Sequence, residues 1–431
     1  MPNQISRRTL IGAGLGAGIL APLLAGCSPI GSLVPASSGG DTLVVHSQFS
    51  GAVSGSAVFA EVVRNYRNNF NAQIATVTNG SDLPIVFETS VLAGKEADIA
   101  IINMVGKSLA WTSNGATIPV QRYLTEWGLD ARIAPGAIEE WSDADGNLRA
   151  FPYTRTNWPV AFNNRLLEQA GVSIPTTSDE LIAATDALRS IGVGPVAIGG
   201  GDWTGQKLFM QIIQSFMSPL DAVEVFSSGK ISESAAAIAG ITHFVELRNA
   251  GVFVDSAQGF TSDSMLTQYN TGKAGIMSSM SSALALVPAD RAAETTIGGW
   301  PVPSTALLTK PTIIQSFNGM GIWISERGAQ KLDLVEPFIK YLFSDEVISQ
   351  FILESGRDMN AVTDVTSTDY PLVAQAQALS TSDAVDPVIL PDLLIPDSAF
   401  EPLTQATASA YGNSVSVERV VDLVESAYRN A

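Results

Sequence analysis

The chain has 431 residues, 46% of them hydrophobic and 15% charged, and its 42 Asp+Glu outnumber its 24 Lys+Arg to give a net charge of −18. That apolar fraction excludes a disordered chain, and an acidic surface of this size repels nucleic acid and anionic lipid. One cysteine and two histidines, His46 and His243, with no spaced Cys/His pair, exclude a zinc site of the usual kind, and no cofactor is expected.

The first element is a leader. Arg7 and Arg8 precede an apolar run over residues 10–24, which ends in Leu24, Ala25 and Gly26 ahead of Cys27. Spanning a hydrocarbon core takes about 20 apolar residues, so this glycine-rich run is too short and reads as a secretory signal. It resembles a bacterial lipoprotein signal, in which the Cys27 thiol receives a diacylglyceryl group and becomes the new amino terminus; the alternative is a small residue in an ordinary cleavage region. Residues 6–10, Ser-Arg-Arg-Thr-Leu, also resemble a twin-arginine export signal, although a simple basic leader has two such residues as well. Loss of residues 1–26 removes two arginines and no acid, which leaves 22 basic against 42 acidic residues and a net charge of −20. No later segment approaches membrane-spanning length, so attachment is expected through lipid on Cys27 alone.

Residues 27–40 comprise that cysteine and a small, turn-rich tether. Beyond it, residues 42–46 read as a buried strand, and residues 58–70 as a helix with Val58, Phe59, Val62, Val63 and Tyr66 on one side. Further strands are expected at residues 97–102, 159–162 and 195–198. Between the last two, Thr177-Ser178-Asp179-Glu180 forms a capping box for a helix burying Leu181, Ile182, Leu188 and Ile191, with Gly192 as its stop. Alternating strand and helix predicts mostly parallel sheets, and the length after the tether predicts two or more cores. Asp333 is expected to help cap a helix with Leu334, Phe338, Ile339 and Leu342 inward and Pro337 in its first turn. Ser344 starts the next helix, which ends at Gly356; from Pro371 the chain is largely helical outside the proline-punctuated residues 386–402. There is no internal repeat.

Residues 145–153, Asp-Gly-Asn-Leu-Arg-Ala-Phe-Pro-Tyr, lead into Trp158, then Ala161-Phe162-Asn163, then residues 166–171, Leu-Leu-Glu-Gln-Ala-Gly. Weaker echoes lie at residues 93–99, 269–277 and 319–325. In this order and spacing the chain resembles the extracellular solute-binding proteins of ABC importers, the family that includes maltose- and other sugar-binding proteins. The resemblance implies an α/β, two-lobed periplasmic-binding-protein-like (type II) fold with three hinge crossings, near residues 153–158, 317–321 and 360–364. It places an N-terminal lobe at residues 41–153 plus 321–362 and a C-terminal lobe at residues 154–319 plus 363–431. It further implies a substrate-binding lipoprotein, a monomer on the extracellular side of the cell membrane, that captures a mono- or oligosaccharide and delivers it to permease subunits. A polyol, compatible solute or sugar acid is the alternative ligand, and a receptor that senses without transport is a third reading.

Sugars present C–H faces and hydroxyl edges, which flat aromatics and planar polar groups match. Gln48 and Asn103 follow the first two strands, and Arg155, Thr156, Asn157 and Trp158 lie on the first crossing. Arg155 offers a bidentate contact, with a salt bridge across the hinge as the competing role; Trp158 can instead pack beneath its strand. Gly199-Gly200-Gly201-Asp202-Trp203 follows a strand, so that Trp203 is the stacking candidate and Asp202 either accepts hydroxyls or caps the next helix. A phosphate loop is excluded there because Gln206 stands where its lysine belongs. Many relatives carry an aromatic turn after the strand ending at Met277, but this chain has Ser278-Ser279-Met280-Ser281-Ser282; Ser281 and Ser282 are kept as candidates, with Trp300 as a substitute wall or a structural turn residue. Asn318 at the second crossing and Arg357 after the Gly356 stop complete the set, and His243 reads as packing.

A lipid-anchored polysaccharide-degrading enzyme is the rival from another class. A glycosidase needs two opposed carboxylates, and Asp202 with Glu88 or Asp98 is the only positional suggestion; Val53-Ser54-Gly55 lacks the first glycine of a serine-hydrolase elbow. No catalytic residue is expected.

Overall fold

The structure is a computed structural model that describes residues 42–50, 53–78, 82–104, 106–143 and 145–429. The leader, Cys27 and the tether lie outside the described residues. Among the described residues twelve strands occur in chain order: β1 Thr42–Ser47, β2 Gln73–Thr78, β3 Ile99–Asn103, β4 Phe151–Pro152, β5 Thr156–Trp158, β6 Val160–Asn163, β7 Gly194–Ala197, β8 Ala274–Ser278, β9 Thr295–Gly298, β10 Thr312–Ser316, β11 Met320–Ile324 and β12 Asp386–Val388. They form three sheets, ordered β2-β1-β3-β11-β4, β7-β8-β6-β9 and β12-β10-β5.

The parallel expectation holds only in part. β1 pairs in parallel with β2 and β3, but β11 runs antiparallel to β3 and β4; β7 and β8 are parallel, while β6 is antiparallel to β8 and β9. The strands that run against their neighbours in these two sheets are β6 and β11, which lie beside the points where the chain leaves one sheet for the next, and local pattern does not encode that return direction.

Two large hydrophobic cores result. One gathers β1, β3, β4 and β11 with the helices Ser56–Phe70, Leu332–Leu342 and Asp345–Ser355; the other gathers β6, β7 and β8 with the helices Trp203–Gln214, Ala235–Asn249, Asp397–Ala410 and Val417–Arg429. The third sheet lies between, because β5 and β10 each continue from, or lead into, a strand of the first sheet.

Local signals behave as their chemistry requires. The Thr177 hydroxyl accepts from the Glu180 amide while the Glu180 carboxylate accepts from the Thr177 amide, and Gly356 closes its helix at φ +61°. Three expectations are corrected. Ile191 is exposed, since it caps the helix rather than continuing its buried stripe. Asp333 does not cap: the helix begins at Leu332, which puts Pro337 in the second turn at the cost of one bond to the Asp333 carbonyl. Pro402 likewise sits inside the helix Asp397–Ala410, so the non-helical stretch ends earlier than its prolines suggest.

The core contains one titratable ring with a measurable consequence. His46 on β1 is fully buried with the Phe87 ring at 6.3 Å, and among the described residues neither ring nitrogen has a hydrogen-bond partner. Burial pushes its pKa down to about 4. The unfolded chain protonates this ring near pH 6.5, so between those values the unfolded state binds more protons and stability falls as pH drops. The loss from His46 should reach up to about 3 kcal/mol near pH 4. The buried carboxyls of Glu140 and Asp358, pushed up by desolvation, act with the opposite sign and lose stability as pH rises through their folded pKa values. Urea unfolding at pH 7 and pH 4.5 should show a slope that His46→Leu flattens.

Candidate functional site

The three crossings are joined by one side chain. Asn360, fully buried, donates through Nδ2 to the Thr154 carbonyl at 2.9 Å and to the Phe317 carbonyl at 2.8 Å, so the third crossing holds the other two. Its own amide donates to Tyr153, and its carbonyl accepts from Ala134. Glu140 accepts from the Ser316 hydroxyl and the Phe317 amide, and Trp141 Nε1 donates to the Phe317 carbonyl. The chain here is too close for a side chain at Gly319, whose added Cβ would stand 2.4 Å from the Thr154 carbonyl oxygen.

Arg155 takes the competing role named for it. Its Nε donates to Asp358 Oδ1 at 2.8 Å, and Gln377 donates to the same oxygen at 3.2 Å, so the guanidinium bridges the first and third crossings. The side chain keeps 34% exposure and lies over the Phe317 ring, and it therefore still faces solvent beside the hinge.

Gln48, Asn103 and Asn318 come together at the carboxyl ends of β1 and β3, beside the start of β11. Gln48 Oε1 accepts from the Asn103 amide at 2.6 Å; Met320 pairs with Asn103, and Asn318 Nδ2 donates to the Met104 carbonyl at 2.8 Å. Asn318 Oδ1 is buried without a hydrogen-bond partner.

Trp158 and Trp203 also meet. Their rings are 5.5 Å apart at 88°, and with Ile314, Val388, Met280, Leu308 and Leu390 they form a small apolar cluster separate from both cores. Trp158 is 3% exposed and its Nε1 has no hydrogen-bond partner, whereas Trp203 stays partly exposed. Such a corner offers two perpendicular ring surfaces and one N–H donor that is costly to leave unpaired. Met280, within the serine-rich residues 278–282, packs against this cluster with its flexible side chain.

Other candidates lie elsewhere. Asp202 caps: its Oδ1 accepts from the Thr204 amide and hydroxyl, and its Oδ2 from the Ser262 amide. The glycines before it admit the chain itself rather than a ligand, since a Cβ at Gly200 would stand 2.6 Å from the Ala257 carbonyl oxygen. Trp300 is 1% exposed and stacks on Phe253 inside the second core, so it is a packing residue and not a second wall. Asn157 turns away from Trp158 along its strand and donates to the Ala376 carbonyl and the Ser380 hydroxyl, while its backbone amide donates to Ser281. Thr156 and Ser282 are buried nearby. Arg357 is buried over Phe49, and desolvation pushes its pKa down to about 10. Glu88 accepts from Trp111 Nε1, and Asp98 is ion-paired with Arg327 and Lys331 in the first lobe, so neither opposes Asp202. His243 packs against Ser178, as expected.

The lobes also touch away from the crossings. The turn Pro391–Leu393 from the second lobe lies against Gly106–Leu109 of the first, and Leu393 packs on the first core.

Residues 53–348 match the family described as bacterial extracellular solute-binding protein. The chain belongs to that family. The solute-binding fold is shared by a crystal structure of a probable secreted solute-binding lipoprotein from Streptomyces coelicolor, 47% identical, covering 92% of this chain and all of that one at a TM-score of 0.82. A chitin oligosaccharide binding protein, 19% identical, covers 90% of this chain and 98% of its own at a TM-score of 0.77, which shows the fold alone. A probable sugar-binding periplasmic protein of Rhizobium meliloti (strain 1021) is 32% identical over 138 residues, which are 32% of this chain. The match spans about a third of that relative's length, 33%.

Proposed function

We propose that this solute-binding protein is a receptor and not a catalyst, and that it takes a neutral mono- or oligosaccharide between its lobes. The observation that carries the reading is the right-angled Trp158–Trp203 pair, set apart from both cores and presenting a buried, unpaired Nε1 beside a partly exposed indole. The names of the relatives, sugar-binding in one case and chitin-oligosaccharide-binding in another, support the same class. Arg155, committed to Asp358, is no longer the free cation that a sugar acid would need.

Gln48, Asn103 and Asn318 on the first lobe and the tryptophans on the second are the bridging groups. The moving bodies are residues 41–153 with 321–362, and residues 154–319 with 363–431, turning about the Asn360 junction. Ligand that touches both binds the closed form better and shifts the population toward it. The protein is exported, held to the outer face of the cell membrane by lipid on Cys27, and passes its cargo as a monomer to a membrane permease.

Titration calorimetry against neutral sugars, polyols and sugar acids tests this. Micromolar capture of a neutral sugar, about 8 kcal/mol, is expected; selective binding of a sugar acid or polyol would replace the reading, and glycan turnover abolished by one carboxylate substitution would end the receptor assignment.

A further inference from the structure

A fully buried lysine almost always has an acid beside it, and Lys207 is no exception. It lies one helical turn beyond Trp203 in the helix Trp203–Gln214 and is 2% exposed. Its Nζ stands 2.6 Å from Asp392 Oδ1, donates to Gln206 Oε1 at 3.3 Å, and lies 4.9 Å from the centre of the Phe400 ring. Carboxylate, amide oxygen and ring face together satisfy the ammonium.

Asp392 stands at the seam. It is the middle residue of the turn Pro391–Leu393, with Leu393 packed on the first lobe's core on one side and Leu390 in the tryptophan cluster on the other. The turn that bears the carboxylate therefore runs from the aromatic corner to the first lobe's core. Its Oδ2 is engaged by no hydrogen bond among the described residues. Apolar residues of similar volume commonly replace a buried ion pair with no loss of stability, so stability alone does not account for a pair at this position.

We propose that Asp392 determines ligand specificity: its Oδ2 accepts hydrogen bonds from the hydroxyls of a neutral saccharide, while Lys207 positions the carboxylate and balances its charge. The inference rests on the sugar reading and deepens it. An ionised carboxylate only accepts, so it favours a hydroxyl-rich ligand and repels an acidic one.

Calorimetric titration of the full-length protein with galactose, maltose, raffinose and xylobiose compares wild type with Asp392→Asn and with the double variant Lys207→Met/Asp392→Leu. The double variant leaves no buried charge unpaired, so it should melt within a few degrees of wild type. Whichever sugar the wild type binds should bind at least about tenfold more weakly to both variants. Unchanged affinity in the folded double variant would overturn the role of Asp392 and leave the sugar reading standing. A double variant that fails to fold makes the pair structural and also counts against the proposal. If wild type binds neither these four nor any other neutral saccharide, the sugar reading falls and takes this inference with it.

Discussion

Trp203→Ala should weaken sugar binding at least about tenfold while leaving the melting temperature within a few degrees of wild type. The ring is the first residue of its helix and partly exposed, so little of the second core depends on it. Its edge-to-face partner Trp158 is buried against Ile314 and Val388 and stays in place without it. Stacking contributes about 0.5 to 1.5 kcal/mol beyond the apolar area covered, and the area adds about 25 cal/mol per Å². Their sum passes the 1.4 kcal/mol that equals a factor of ten. Trp203→Phe keeps a flat face and should recover much of the affinity. Equal affinities for wild type and Trp203→Ala, by calorimetry, would remove this ring from the site.

The second large effect concerns stability. Asn360→Ala should lower the unfolding free energy by about 1 to 3 kcal/mol, because it strands the buried Thr154 carbonyl, while the Phe317 carbonyl keeps its bond from Trp141 Nε1. The two carbonyls that Asn360 serves belong to Thr154 and Phe317, on two different crossings, so the substitution removes the one side chain that touches all three, while the Arg155–Asp358 pair still links the first and third. Denaturant unfolding should also lose cooperativity, as one of the links that couple the two cores is removed. A loss below about 1 kcal/mol with a single sharp transition would mean that the carbonyls find other donors and that the crossings are joined elsewhere.

How much of this was legible depends on whether the cause is local. The Thr177–Glu180 capping box and the Ser344-to-Gly356 helix are written within a few residues of themselves, and both form as read. The strand from Thr42 and the helix bearing Val58, Phe59, Val62, Val63 and Tyr66 follow from periodicity alone. Asp202 is different: capping and ligand binding ask for the same side chain after a strand, and only the fold brings the Ser262 amide to its second oxygen. Trp300 looks like an aromatic wall in sequence, yet the pairing of Trp300 with Thr312 turns it inward onto Phe253. Met280 and Asp392 were missed because each gains meaning from a partner far along the chain, Trp158 in one case and Lys207 in the other. A lysine four residues after Trp203, in a helix otherwise free of charge, was the available signal for the second.

Tryptophan emission is the most direct probe of whether ligand enters at the Trp158–Trp203 corner. The other five tryptophans, Trp111, Trp127, Trp141, Trp300 and Trp323, are all buried in the two cores, so a ligand between the lobes should be seen by the corner pair. Titrating the neutral sugar that gives the strongest calorimetric signal should produce a saturable spectral change in wild type and none in a folded Trp158→Phe/Trp203→Phe double variant. A change of equal amplitude in that double variant would place the ligand elsewhere in the molecule.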